Sequence, residues 1–215
     1  AERVRKRKSK VIIGANIGRG KDTPNELAWQ DYVHCLKAIA EYVDYVVVNV
    51  SSPNTAHLRA LQEENFLQEI LSKLQQANFK RVPILLKIAP ELSDTQVATI
   101  VHVAQTSHID GIIATNTLKT PEGGLSGRPL QERALKVIRS FYLHSAGSLP
   151  IIGVGGIFNA QDAYAKIKAG ASLVQLYTGL VYEGPSLIKR INQGLVELMK
   201  RDGFSSIGQA VGTAP

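Results

Sequence analysis

Six apolar, β-branched runs punctuate the chain: VIIGANI (11–17), YVVVNVS (45–51), PILLKIA (83–89), GIIATNT (111–117), PIIGVGG (150–156) and SLVQLYT (172–178). Their hydrophobicity is nearly continuous rather than alternating, the pattern of parallel strands covered on both faces. Helical periodicity fills the intervals. In the first, Asp22 or Thr23 is the expected N-cap with Pro24 in the opening turn, and Trp29, Tyr32, Val33, Leu36, Ile39 and Val43 share one face. Phe66, Leu67, Ile70, Leu71 and Leu74 make the next stripe. Ser93 caps a helix carrying Val97, Ile100, Val101 and Ala104, and Leu135, Ile138 and Phe141 mark a fourth. A fifth runs from near Asn159 to Gly170; Leu187, Ile191, Leu195 and Leu198 define a last, long one. Strict β-α alternation predicts a parallel sheet with helical crossovers.

Polar residues gather at the C-terminal end of every strand: Asn16; Asn49, Ser51 and Ser52; Lys87; Thr115, Asn116 and Thr117; Gly155 and Gly156; Tyr177 and Thr178. An open doubly wound sheet concentrates such groups at one switch point. Contributions from all the strands favour a (β/α)8 TIM barrel, whose active sites lie at that face. Such a barrel takes ~250 residues, about 31 per β-α unit, so six of the eight units use most of the 215 residues. The expectation is one domain over residues 1–215, with the two remaining units upstream of Ala1. Six strands alone would leave two raw sheet edges.

With 44% hydrophobic and 20% charged residues, the chain can bury one substantial core and is not of disordered composition. No apolar run reaches the ~18 residues of a membrane span, and no segment reads as a signal peptide. Cys35, alone, makes no internal disulfide; in its helical setting it reads as core filler in a reducing compartment. The net charge of +7 suits anionic partners without naming one. Part of it comes from Arg3, Arg5, Lys6, Arg7, Lys8 and Lys10, which read as a solvated helix end or tail. No aromatic-rich or motif-bearing segment accompanies them, so nucleic acid is not an expected partner. The histidines show no metal-ligand spacing, and His57 reads as exposed.

The segment from Pro150 to Gly179 carries the anion chemistry. Gly155 and Gly156 end a strand just before a helix, where backbone N–H groups can close on a phosphate. Tyr177 and Thr178 end the next strand with further donors. It is not a dinucleotide fingerprint, because Phe158 stands where a third glycine is required, and no glycine loop ends in the lysine-serine or lysine-threonine of a P-loop.

Five ordered motifs, NVSSPNT (49–55), LLKIAP (85–90), IATNT (113–117), GGLSGRPL (123–130) and the PIIGVGGI to AGASLVQLYTG segment, resemble the dihydroorotate dehydrogenases, in their class 2, quinone-reducing branch. The likeness extends over nearly the whole chain. It implies an FMN enzyme that oxidises (S)-dihydroorotate to orotate in pyrimidine synthesis and passes the electrons to a quinone. It also implies a place on the cytoplasmic face of the cell membrane, docked by an N-terminal extension that precedes this sequence; the residues themselves suggest only a soluble cytoplasmic chain.

By resemblance, Ser52 is the catalytic base, serine rather than the cysteine of class 1. Asn49, Asn54, Asn116 and Thr117 meet the substrate. Asn16, Asn49, Lys87, Thr115, Gly127, Gly156, Tyr177 and Thr178 hold FMN. Relatives carry a glycine-lysine strand loop, an NRMGF-type substrate loop and a longer active-site loop near 118–122, all missing here. They also commonly have glycine in place of His57. Two other readings compete: a phosphate-binding barrel remnant without catalysis, and a sugar-phosphate isomerase-type barrel, which would need a carboxylate or histidine base at a strand end.

Overall fold

Each of the six apolar runs forms a strand. The structure, a computed structural model, describes residues 2–6 and 8–214. The elements in chain order are α1 (Glu2–Arg5), β1 (Gly14–Ile17), α2 (Ala28–Ile39), β2 (Tyr45–Asn49), α3 (Glu64–Ala77), β3 (Ile84–Ile88), α4 (Asp94–Thr106) and β4 (Gly111–Ala114). There follow a hairpin of β5 (Leu118–Thr120) and β6 (Gly123–Leu125), then α5 (Gln131–His144), β7 (Ile151–Val154), α6 (Ala160–Ala169), β8 (Leu173–Gln175), α7 (Thr178–Glu183) and α8 (Ser186–Arg201). The six long-range strands pair in parallel in the order β1-β2-β3-β4-β7-β8. The fold is part of a TIM barrel, an arc of parallel strands. Among the described residues β1 and β8 each pair on one side only.

The helices pack against one another in the same sequence as the strands, α2 on α3, α3 on α4, α4 on α5, α5 on α6 and α6 on α8. The main core lies between this layer and the sheet. Val46, Val48, Ile84, Leu86, Ile88, Ile112 and Ile151 point into it, fully covered, to meet Leu36, Leu67, Leu74, Ile100 and Ile138. Each such side chain contributes about 1.5–3 kcal/mol by leaving water. The alternate positions face the inside of the arc. Along β3 burial alternates, with Leu85 and Lys87 half-exposed between buried neighbours. Continuous hydrophobicity thus overstated the cover: helices close one face, and the open arc leaves the other partly wet.

The predicted stripes are the buried helix faces; the Ser93 cap forms as expected, and Asn159, the expected neighbourhood of a helix start, is a second cap. The Ser93 hydroxyl accepts from the Gln96 N–H in a capping box, and Asn159 Oδ1 accepts from the Asp162 N–H. The first-interval helix differs. A 3-10 turn at Asn25–Leu27 precedes α2, and neither Asp22 nor Thr23 caps it. All six strands are shorter than their apolar runs, three of them most clearly at the C-terminal end: β4 ends at Ala114, β7 at Val154 and β8 at Gln175, and Thr178 begins α7. At these points the chain stops pairing and turns over the strand ends, which leaves the polar residues in loops. Cys35 is half-buried against the core. Of the basic opening, Arg7 and the side chain of Arg3 lie outside the described residues, while Arg5, Lys6, Lys8 and Lys10 are exposed. No helix among the described residues is long and apolar enough to cross a membrane.

His57 and Lys166 are among the positions that depart from what their residue types prefer. His57, exposed as expected, has φ +56°. A side chain there costs ~1–2 kcal/mol, offset for glycine by about 0.5–1 kcal/mol of entropy. Lys166 is 1% exposed and its Nζ has no hydrogen-bond partner. Burial pushes its pKa down to about 8, against a weaker opposing pull from Asp162. H57G is expected to raise stability by about 0.5–1 kcal/mol, a Tm increase of ~1–4 °C in a thermal melt. For Lys166 the unfolded chain holds its proton up to the ordinary lysine range, and the folded chain releases it near pH 8. Stability therefore rises with pH across that window and carries the full penalty below it. Lys166→Met should be more stable than wild type by roughly 2–3 kcal/mol in urea at pH 7, with the gap closing towards pH 10.

Candidate active site

Where β2 ends, the chain turns from valines to amides and hydroxyls because these groups knit three strand ends together. Asn49 stands opposite Lys87, and Lys87 opposite Ile113, in one row across the sheet. Ser51 is fully buried. Its hydroxyl donates to the Lys87 carbonyl at 2.7 Å and lies 3.2 Å from Asn49 Oδ1. The Ser51 N–H donates to the same Oδ1 at 3.2 Å, and Asn116 Nδ2 reaches Ser51 Oγ at 3.1 Å and Asn49 Oδ1 at 3.3 Å. Beneath them, Tyr32 on α2 donates its hydroxyl to the Asn49 carbonyl at 2.8 Å, and burial pushes its pKa well up. Uncharged groups suit such a place, since buried amides cost little once paired.

Beside this network lies a cleft of about 210 Å3 at the C-terminal ends of β3, β4, β7 and β8. Lys87, Thr115, Asn116, Thr117, Gly127, Gly156, Tyr177 and Thr178 all line it, with Ser126 and Gln175, and no carboxylate does. The Ala114–Thr115 peptide is cis. Lys87, half-buried, has its pKa lowered by desolvation. Gly156 turns the chain at φ +68° against Gln131, where a Cβ would stand 2.4 Å from that residue's own Cβ. Behind the turn, Asp162 accepts from the Phe158 N–H at 2.9 Å and from Gln131 Nε2 at 2.5 Å. Ser126 and Thr178 hydroxyls meet at 2.7 Å across the mouth. Among the described residues no hydrogen bond engages the N–H groups of Gly156 and Ile157, which leaves them available to an anion.

Ser52 lies in a second cleft, about 300 Å3, with Pro53, Thr55, His57, Arg59 and Lys119. Ser51 turns inward to the network, and its neighbour faces the β5–β6 hairpin instead. Ser52 is half-buried, and its Oγ accepts from the Asn54 N–H at 3.3 Å. The hairpin closes over this loop: a Cβ on Gly124 would stand 2.3 Å from Thr117 Oγ1 and 3.1 Å from Pro53 Cγ. Thr117 lines the first cleft, and its carbonyl accepts from Arg59, which lines the second.

Of the residues singled out from the sequence, eight share the first cleft, and Asn49 is bonded to its wall through Asn116. Asn54 is exposed beside the hairpin, and Asn16 is exposed on the edge strand β1. Ser51 was named only as a strand-end polar residue, with no role, and Ser126, Gln131, Asp162, Arg59 and Glu91 were not singled out. The helix N-terminal Asp162 carried a faint signal; Arg59 and Glu91 carried none, because only the folded loops after β2 and β3 bring them together. A larger groove, about 800 Å3, opens on the outer helix layer between α5, α6 and α8. It lies away from the strand ends and their polar groups.

Comparison with known proteins agrees with this architecture. The family model described as dihydroorotate dehydrogenase matches residues 1–199. A protein of Nostoc punctiforme named dihydroorotate dehydrogenase (quinone) is 47% identical over 220 residues, covering 94% of this chain and 58% of that protein. One of Christiangramia forsetii with the same name is 52% identical over 200 residues, covering 87% and 59%. The crystal structure of the Eimeria tenella enzyme in complex with ferulenol superposes with a TM-score of 0.89 at 34% identity, over 99% of this chain and 64% of that one. The chain thus spans about three fifths of the length of these relatives. Its strand-end network, its glycine turn and its match over nearly all its length lead to one assignment: the chain belongs to the dihydroorotate dehydrogenase family.

Proposed function

We propose that this chain forms six of the eight β-α units of a TIM barrel whose whole oxidises (S)-dihydroorotate to orotate in pyrimidine biosynthesis, using FMN and then a quinone. The observation that carries the reading is the first cleft, which joins one cation to uncharged donors and excludes every carboxylate. That donor set fits a flavin mononucleotide. A dianionic phosphate suits the unengaged N–H groups of Gly156 and Ile157, beside Thr178, Tyr177 and Gly127. A planar ring with amide edges suits Asn49, Thr115 and Lys87, and Asn16 belongs to the same set if the arc closes further. At about 210 Å3 the cleft takes one end of such a molecule. FMN, when bound, accepts the hydride that leaves the pyrimidine ring.

The chain's own groups do the rest. Asn116, Thr117, Asn49 and Asn54 can donate to and accept from the ring amides and carboxylate of dihydroorotate. Ser52 Oγ takes the proton from the ring carbon next to the one that loses hydride, as its own hydroxyl proton passes to a water. A serine hydroxyl is a weak base. The Asn54 N–H directed at Oγ favours the deprotonated oxygen, against the opposing effect of half-burial. Lys87, at a strand end with no acid lining the cleft, offsets the negative charge that arrives with the hydride. The quinone is taken from the relatives' names. Because quinones are membrane-borne, peripheral contact with the cytoplasmic membrane face accompanies the proposal.

The alternative of a phosphate-binding remnant draws on the one-sided pairing of β1 and β8 and on the separate cleft of Ser52. A sugar-phosphate isomerase finds no carboxylate or histidine in the first cleft.

Absorbance separates the readings. Loaded with FMN, the protein should be yellow, bleach with dihydroorotate and regain colour with a quinone; failure to take up FMN favours the remnant. Ser52→Ala should retain FMN and lose at least ~100-fold in the rate of bleaching, within the range of a removed acid-base group, and an unchanged rate excludes Ser52 as the base. Lys87→Met should slow bleaching by about 10-fold or more while the yellow colour persists.

A further inference from the structure

Arg59, in a 3-10 turn (Leu58–Gln62) after the serine loop, sends its three guanidinium nitrogens to three different segments. Nε donates to the Ser51 carbonyl at 3.1 Å, one terminal nitrogen to the Thr117 carbonyl at 2.8 Å, and the other to Glu91 Oε2 at 2.7 Å. Glu91, just beyond β3, uses its second oxygen to accept the Lys119 N–H at 2.7 Å. One ion pair thereby joins the residue before Ser52, the loop after β3 and both sides of the first residue of β5. Arg59 and Lys119 line the cleft that holds Ser52. The side chains are 22% and 35% exposed, enough cover to keep the pair from being a freely solvated one.

We infer that Arg59 and Glu91 are a positioning pair, which fastens the β5–β6 hairpin over the serine loop and fixes Ser52 Oγ for proton abstraction. This rests on the proposed role of Ser52. Position and chemistry both point to it. The carbonyl that Arg59 grips belongs to the residue whose backbone sets the direction of Ser52. The carbonyl and N–H gripped on the far side belong to the first turn of the cover. A planar fork with donors on three separate nitrogens reaches acceptors spread over three segments; a lysine has three donors on one nitrogen and carries the charge without that span. Glu91 likewise needs both oxygens, one for each segment.

Amide hydrogen exchange and FMN bleaching on the FMN-loaded protein test the pair together. Arg59→Lys, Arg59→Ala and Glu91→Ala should each raise exchange at the Lys119 amide and across residues 118–125 by about 10-fold or more. Exchange in β3 should stay as in wild type, which separates local release from misfolding. The same variants should retain FMN and bleach with dihydroorotate roughly 10- to 100-fold more slowly. The Arg59→Ala, Glu91→Ala double variant should be no slower than the worse single one, because the two act as one unit. A positioning role is overturned by wild-type bleaching in a variant whose hairpin exchange has risen, by full rescue in Arg59→Lys, or by unchanged exchange at Lys119. A wild type that binds FMN and never bleaches instead overturns the assignment of Ser52, a separate failure.

Discussion

The Lys87 carbonyl, the Ser51 hydroxyl, the Asn49 side-chain oxygen and the Asn116 amide form a chain of contacts between 2.7 and 3.3 Å, and the upper half of the sheet depends on it. Backbone ladders hold β2, β3 and β4 together as far as Asn49, Ile88 and Ala114, and one further backbone bond, from the Asn116 N–H to the Ile88 carbonyl at 2.8 Å, follows them. Beyond that level side chains must do the joining. A buried hydroxyl left unpaired there would cost about 1–3 kcal/mol, so the network fixes one arrangement of the loops. Both clefts inherit their walls from it: Asn116 and Thr117 on one side, the serine loop on the other.

Charge is handled differently from polarity. The first cleft keeps a single ammonium, Lys87, already held below its ordinary pKa by burial. A second buried ammonium, Lys166, lies one helical turn after Asp162, the residue that secures the Phe158 N–H behind the glycine turn. With one ammonium and no carboxylate lining it, the cleft favours anions through field as well as through hydrogen bonds. Asp162 is spent on the backbone, where its charge braces the turn without entering the cleft.

The sequence carried the parallel sheet, the helix stripes and the Ser93 cap, because each is a local signal: an apolar β-branched run, a helical period, a hydroxyl just before a helix. It also carried most of the first cleft, since the lining residues named beforehand sit at or just past strand ends. What it could not carry is direction. Ser51 and Ser52 are indistinguishable in the string, yet one turns inward to Lys87 and the other towards the hairpin. Arg59 and Glu91 lie 32 residues apart and look like ordinary surface charges until the loops after the paired strands β2 and β3 bring them into direct contact. Asp22 and Thr23 had the right chemistry for a cap, but a 3-10 turn intervened.

The hairpin divides into parts with different freedom. Gly123 and Gly124 touch Asn54, Thr117 and Pro53, and the start of β5 is gripped by Glu91. Pro121 and Glu122, at the bend, make none of these contacts. Extra residues inserted at that bend would lengthen the cover without moving its base, since doubling a loop adds only about 0.6 kcal/mol of closure entropy. The bend can therefore accept added length while the base of the hairpin keeps a single anchorage.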